Sequence, residues 1–162
     1  IPIDIVEYII NLASKHNTYI ILNAAPAYEI REEVLAKVNC LVVNETEASF
    51  YLNKEINNFK SSEENCEELY KKIKDLLIIT LGENGSLLYD GKEKLHIKAK
   101  KVKVVETTGA GDSFIGAFAY KLLNDLPYKE AAEFASLVSA VTVTKVGAQD
   151  SMPTYEEVNG FL

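Results

Sequence analysis

The feature that most constrains this chain is a change of hydrophobic period that repeats along it. Ile5, Val6, Ile9, Ile10 and Ala13 recur at helical spacing behind Pro2 and Asp4, a favourable first-turn pair, which predicts a helix over the first 16 residues. The next run, Tyr19, Ile20, Ile21 and Leu22, is short, continuous, and both aromatic and β-branched. A strand covered on both faces reads this way. Val34, Leu35 and Val38 return to a helical stripe over about 28–38, and Leu41, Val42 and Val43 form a second buried strand. Helices follow near 45–52 and 62–75 across a polar link of Asn, Lys and Ser, and residues 76–80 make a third strand. Helix and strand alternating at these lengths predict an α/β fold: a parallel sheet with right-handed crossovers, flanked by helices.

The alternation breaks after Gly85. Apolar runs at 87–89 and 95–97 flank Asp90-Gly91, a dipeptide that tolerates the positive φ of a type I′ turn, so an antiparallel hairpin extends the sheet. Val102, Val104 and Val105 read as one more strand. A polar glycine loop at 107–111 then runs into a helix carrying Phe114, Ala117, Phe118, Lys121 and Leu122. The helix near 128–144 is apolar on nearly every face, with Ala131, Ala132, Phe134, Ala135, Leu137, Val138, Ala140 and Val141, and belongs in a core. Thr154 followed by Glu157 is a capping box for a short final helix. With no repeat and no dividing linker, the 162 residues read as one domain.

Composition removes several functions. About half the residues are hydrophobic (48%), which argues against disorder, and 17 Lys plus Arg against 24 Asp plus Glu leave a formal charge of −7. Such a surface repels phosphate backbones and anionic lipid, so neither nucleic acid nor membrane is an expected partner. The best basic cluster, six lysines over 92–103, reads as a solvated hairpin face. Cys40 and Cys66 match no disulfide or zinc spacing, and His16 and His96 read as surface residues. No apolar run approaches the roughly 20 residues of a membrane span, and no signal-peptide pattern opens the chain. A reducing, cytoplasmic location is the expectation. The chain opens Ile1-Pro2 without a methionine, which suggests a piece of something longer.

Four segments carry candidate chemistry. The first is Glu106-Thr-Thr-Gly-Ala-Gly-Asp112, where Gly109, Ala110 and Gly111 offer successive peptide N–H groups at a helix start. Asp112 at its mouth is placed to take a proton from a hydroxyl while those amides stabilise charge on a transferred phosphoryl group. The plainer alternative is an acid complementing the helix dipole. No GxxxxGK[ST] exists, and Gly116 lies five after Gly111 where a dinucleotide fingerprint needs three. The second is Thr80-Leu81-Gly82-Glu83-Asn84-Gly85, directly after a strand, where a nucleotide lies in open parallel sheets; taken alone, the segment reads first as an ordinary strand-to-hairpin turn. The third is Asn44-Glu-Thr-Glu47, a capping box that also suits a phosphate at Asn44 and hydrated magnesium at Glu47. The fourth, residues 147–151 from Gly147 to Ser151, closes the long buried helix as a cation-holding turn or a plain glycine stop.

Taken in order, these segments, with Asn23-Ala-Ala-Pro-Ala27 and Gly147-Ala-Gln-Asp-Ser-Met-Pro153, resemble the ribokinase family of sugar kinases. The resemblance implies a ribokinase-like, Rossmann-like fold of which this chain is the C-terminal, nucleotide-binding and catalytic half. It implies transfer of the ATP γ-phosphoryl group to a primary alcohol of a pentose, ribose to ribose 5-phosphate first. Other small alcohols (adenosine, fructose) or a non-catalytic nucleotide-binding fragment are the alternatives. By the same resemblance Asp112 is the base, with Gly109, Ala110 and Gly111 as the anion hole. Thr80, Leu81, Gly82, Glu83, Asn84 and Gly85 border the nucleotide, Asn44 and Glu47 face phosphate and Mg2+, and Ser136 meets adenine. A monovalent cation (K+) is held by Glu106, Thr108, Thr142, Lys145, Gly147 and Ser151, mostly through carbonyls. Glu106 stands where the family has Asp, and Ser136 where it has Asn or His. The oligomeric state stays open, a homodimer through exposed sheet edges being one reading. The fragment alone is expected to be inactive.

Overall fold

A computed structural model describes residues 1–161 and divides the chain into two compact units, Ile1–Gly82 with Ser86–His96, and Glu83–Gly85 with residues 97–161. The elements in chain order are α1 (Ile3–Lys15), β1 (Ile21–Asn23), α2 (Glu32–Leu35), β2 (Cys40–Asn44), α3 (Glu45–Leu52), α4 (Phe59–Tyr70), β3 (Leu76–Thr80), a 3-10 turn (Gly82–Asn84), β4 (Ser86–Tyr89), β5 (Lys94–Ile97), α5 (Ala110–Leu122), α6 (Tyr128–Thr142) and α7 (Tyr155–Gly160).

The first unit is built on a five-stranded sheet in the order β1-β2-β3-β4-β5. Strands β1, β2 and β3 run parallel, and β4 pairs antiparallel with β3. Leu41 and Val43 of β2 and Leu77 and Ile79 of β3 pack into a core with Val34, Leu35, Ala48, Leu52, Cys66 and Leu69 from the crossover segments. Alternate residues Cys40, Val42, Leu76 and Ile78 are also buried, which explains why these strands lack the polar alternation of half-exposed ones. Both cysteines are free and buried.

Several expected boundaries move, each for a local reason. Helix α2 is a single turn, not a helix over 28–38. Arg31 before it is extended (φ −57°, ψ 135°), with its N–H and Nε both donated to the Glu7 carboxylate at 3.0 and 2.7 Å. Helix α4 starts at Phe59, earlier than 62, because Asn58 and Ser61 form a capping box. It stops at Tyr70, since the Lys74, Asp75 and Leu76 amides turn back to the carbonyls of Val38 and Asn39. The β4–β5 hairpin forms, but not through a two-residue I′ turn. Only Gly91 of the dipeptide has positive φ (87°), and the Asp90 carboxylate accepts from the amides of Lys92 and Glu93 at 2.9 Å each, closing a longer loop. A Cβ on Gly91 would stand 2.6 Å from the Tyr70 hydroxyl oxygen and 2.8–2.9 Å from its ring.

In the second unit α5 packs along α6, where the fully buried Ala131, Ala132 and Ala135 let the helices approach closely. Phe114 and Phe118 stack on α5 with ring centroids 6.3 Å apart. Val158 of α7 joins Leu137 and Val138 of α6, and the Thr154–Glu157 capping box starts α7 as expected. The expected strand at 102–105 is absent among the described residues. Val104 and Val105 are more than half exposed, and the segment meets no strand. Its amides at Val105 and Glu106 instead share one carbonyl, that of Val143 just past α6 (2.8 and 3.3 Å).

Candidate functional site

Gly109 caps α5 in the left-handed region (φ 80°), so the polar loop turns sharply into the helix. The head of this helix differs from expectation in one respect: the Ala110 amide donates to Thr107 O at 3.2 Å. It is therefore withdrawn from the anion hole. The amides of Gly111 and Asp112 take no protein partner among the described residues, because the helix supplies none to its first turn. The Ala110 carbonyl accepts from Ser113 Oγ at 2.9 Å and from Ser139 Oγ of α6 at 3.0 Å. A trans peptide is planar, so anchoring that carbonyl sets the Gly111 N–H in the opposite direction. Ser113 and Ser139 were not anticipated; nothing in the sequence sets Ser139 apart from the other hydroxyls of α6, Ser136 and Thr142.

Asp112 is exposed and borders an open cleft of about 490 Å³, shared with Gly116, Tyr120, Phe134, Met152 and Tyr155. A carboxylate beside two amides that lack a partner among the described residues, at the positive end of a 13-residue helix, can accept a proton while those amides hold a growing anion.

The six residues expected around a monovalent cation are brought into one unit, with several of their side chains already hydrogen-bonded. Glu106 accepts from Thr108 Oγ1 through one carboxylate oxygen (2.6 Å) and from the Gly147 amide through the other (2.9 Å). These two donors, the Thr108 hydroxyl first, hold its carboxyl below the ordinary range. Thr142 donates to Val138 O, Ser151 to Ala148 O, and Lys145 pairs with Glu157 at 2.6 Å. The Thr142 carbonyl already accepts from the Lys145 amide. The carbonyls of Glu106, Thr108, Lys145 and Gly147 take no donor among the described residues, which leaves backbone oxygens of the kind such a cation would use. Ser136 is half-buried on α6.

In the first unit, Asn44 and Thr80 stand side by side, paired in register at the carboxyl ends of β2 and β3, the end where ligands meet open parallel sheets. Asn44 and Glu47 form the full capping box: Asn44 Oδ1 accepts from the Glu47 amide and Glu47 Oε2 from the Asn44 amide, both at 2.9 Å. Glu47 is buried, and burial pushes its carboxyl up against the pull of the Asn44 N–H. A buried carboxylate with a raised pKa favours a nearby cation, which fits a magnesium bridge, though one oxygen is committed to the cap. Among the described residues, no three His, Cys, Asp or Glu form a protein-only metal cluster. Leu81 is in the core, so only its backbone can meet a ligand. Gly82 (φ 52°) has nothing within 4 Å of a built Cβ, open space that a ligand can enter. In the second unit Glu83 and Asn84 are exposed, while Gly85 answers to packing: a Cβ there would lie 2.0 Å from Ile97 O.

The pfkB family carbohydrate kinase model matches residues 1–155. A ribokinase of Schizosaccharomyces pombe is 36% identical over 99% of this chain and 52% of its own length. A ribokinase structure from Thermotoga maritima is 35% identical with TM-score 0.79, over 93% of this chain and 51% of that one. The structure of Arabidopsis thaliana ribokinase complexed with ribose and ATP superposes with TM-score 0.91 at 27% identity, over 99% of this chain and 52% of that one. The chain thus spans about half the length of the relatives it matches, with a mixed sheet flanked by helices like theirs. On a family match that runs through all five strands and both α5 and α6, the chain belongs to the pfkB family of carbohydrate kinases.

Proposed function

We propose that the whole protein phosphorylates a sugar hydroxyl with ATP, ribose to ribose 5-phosphate being the first choice, and that this chain is its C-terminal, nucleotide-binding and catalytic half. The observation that carries this reading is Asp112, exposed at the head of α5 beside the amides of Gly111 and Asp112, which take no partner among the described residues. ATP, bound with Mg2+, supplies the phosphoryl group. Asp112 takes the proton of the attacking hydroxyl, so the nucleophile gains charge as the bond forms. The Gly111 and Asp112 amides, the former oriented by the anchored Ala110 carbonyl, stabilise the equatorial oxygens in a transition state that needs positioning and charge more than covalent help. Asn44 meets phosphate, Glu47 faces the magnesium, Gly82 leaves room beside Thr80, and Ser136 lies toward adenine. The ribose- and ATP-bound relative supports this choice of ligands. The reaction belongs in the cytoplasm, in keeping with two free buried thiols. A homodimer would pair through an outer strand, β1 or β5.

The test is a product assay of the purified whole protein with ATP, magnesium and a panel of ribose, fructose and adenosine. Ribose 5-phosphate as main product is expected, with little transfer by the 162-residue chain alone. Preference for fructose or adenosine moves the substrate within the family. Failure to bind ATP and magnesium, with no phosphorylated product, overturns the proposal.

A further inference from the structure

We propose that Ser86 is a positioning residue of the nucleotide site: its hydroxyl donates to Thr80 Oγ1 when nucleotide is bound, which directs the Thr80 proton to a phosphate oxygen. This rests on the kinase reading above. Asn44, Thr80 and Ser86 stand in one row across the sheet, Asn44 paired with Thr80 between β2 and β3, and Thr80 paired with Ser86 between β3 and β4. In each strand the adjoining residue, Val43, Ile79 or Leu87, belongs to the hydrophobic core. Side chains alternate along a strand, so the three polar residues share the opposite face. Ser86 is 2% exposed, and its Oγ is the one buried side-chain polar atom among the described residues without a hydrogen-bond partner.

A buried hydroxyl without a partner destabilises a fold, so its presence on a strand points to a bond made in another state. Directly opposed residues of an antiparallel pair hold their Cβ atoms about 4.5–5.5 Å apart, a gap that paired Thr and Ser hydroxyls bridge. Serine carries a single heavy atom on Cβ, and a turn about χ1 swings its Oγ between staggered positions, one of them toward Thr80. Thr80 Oγ1 is loosely held: it reaches Val43 O at 3.4 Å, well beyond the usual O–H···O separation of about 2.7–2.8 Å. A threonine hydroxyl has one proton and two lone pairs. Accepting from Ser86 fills a lone pair and leaves the proton for the phosphate, in a chain where each bond strengthens the next. Thr80 is half-buried rather than sealed, and Gly82 two residues on has open space beside it. Ser86 itself touches no ligand and acts through Thr80.

The experiment uses the whole protein with Ser86→Ala, Thr80→Val and the double variant. It reads the melting temperature without nucleotide, the ATP dissociation constant with magnesium by calorimetry, and kcat with KM for ATP. Without nucleotide, Ser86→Ala should melt at or above the wild-type temperature, since it removes a hydroxyl that bonds to nothing in the fold. Its ATP affinity should fall about three- to tenfold, the scale of one hydrogen bond. KM should rise by the same factor with kcat within about twofold, as for a contact kept equally in ground and transition states. In the Thr80→Val background, where no proton remains to be directed, Ser86→Ala should add less than about 1.5-fold. A Ser86→Ala variant that loses stability and keeps wild-type affinity marks a purely structural hydroxyl and overturns the proposal, as does a full effect in the Thr80→Val background. If Thr80→Val fails to fold, the stability and ATP affinity of Ser86→Ala still decide. A wild type that binds no ATP overturns the kinase reading and the relay together. A wild type that binds ATP no better than Ser86→Ala overturns the relay alone.

Discussion

Two glycines three residues apart, Gly82 and Gly85, both have positive φ (52° and 88°), yet replacing each by alanine should destabilise the fold to very different extents. At Gly82 the new methyl group enters open space. The cost is that of a left-handed L-residue alone, roughly 1–2 kcal/mol. At Gly85 the Cβ would stand 2.0 Å from Ile97 O and 2.8 Å from the Ala99 amide, both backbone atoms that cannot rotate away. The chain must then shift by more than an ångström, and the combined cost should exceed about 4 kcal/mol, the range reserved for substitutions that break packing. At roughly 2–4 °C per kcal/mol for a chain of this size, Gly82→Ala should lower the melting temperature by about 2–8 °C, and Gly85→Ala by about 8–16 °C or abolish folding. Circular dichroism melts of the two variants read this directly. Calorimetric titration with ATP adds the functional half: Gly82→Ala, still folded, should bind ATP more weakly because its methyl fills the space assigned to the nucleotide. Equal melting temperatures, or a Gly82→Ala variant that is the less stable of the two, would refute the reasoning from space.

Acid should destabilise the fold. Hydrogen bonds from Arg31, Lys94, Lys54, Thr108 and Lys145 hold Glu7, Glu67, Glu68, Glu106 and Glu157 below the ordinary 4.5, and the amides of Glu93 and Lys92 hold Asp90 below the ordinary 3.8. A carboxyl depressed in the fold contributes stability that is complete above its unfolded pKa and lost as pH falls through the folded one. Melting temperature should accordingly be flat near neutrality and fall below about pH 4.5; buried Glu47, raised rather than lowered, opposes this weakly. A melting temperature that rises on acidification would contradict these pairings. Burial pushes the thiols of Cys40 and Cys66 up, so neither should react with a thiol-specific dye until denaturant is added, and fast native labelling would contradict their placement.

What was legible in the sequence depended on how local the determinant was. Strand β3, helix α3 and the α7 capping box lie where expected because a continuous apolar run and an Asn or Thr with Glu three residues later specify themselves. Helix α2 was overestimated because Val34, Leu35 and Val38 keep their burial in a single turn followed by a bend, which a helical stripe does not distinguish from a longer helix. The valines at 102–105 have strand propensity, but a strand exists only with a neighbour to pair, and the segment meets one carbonyl instead. At the site, the glycines and Asp112 were readable as a motif. The occupied Ala110 amide, the Ser139 anchor 29 residues from Ala110, and the Glu106–Gly147 bond across 41 residues were not, since each depends on tertiary placement.

The account stands on Asp112 acting as the base. Replacing it by asparagine in the whole protein keeps shape and the amides of α5 but removes the proton acceptor. Initial rates of ribose phosphorylation with ATP, measured beside ATP affinity, should show turnover lower by about 10² to 10⁴ with nucleotide binding nearly unchanged. Turnover equal to that of the unsubstituted enzyme would contradict the account.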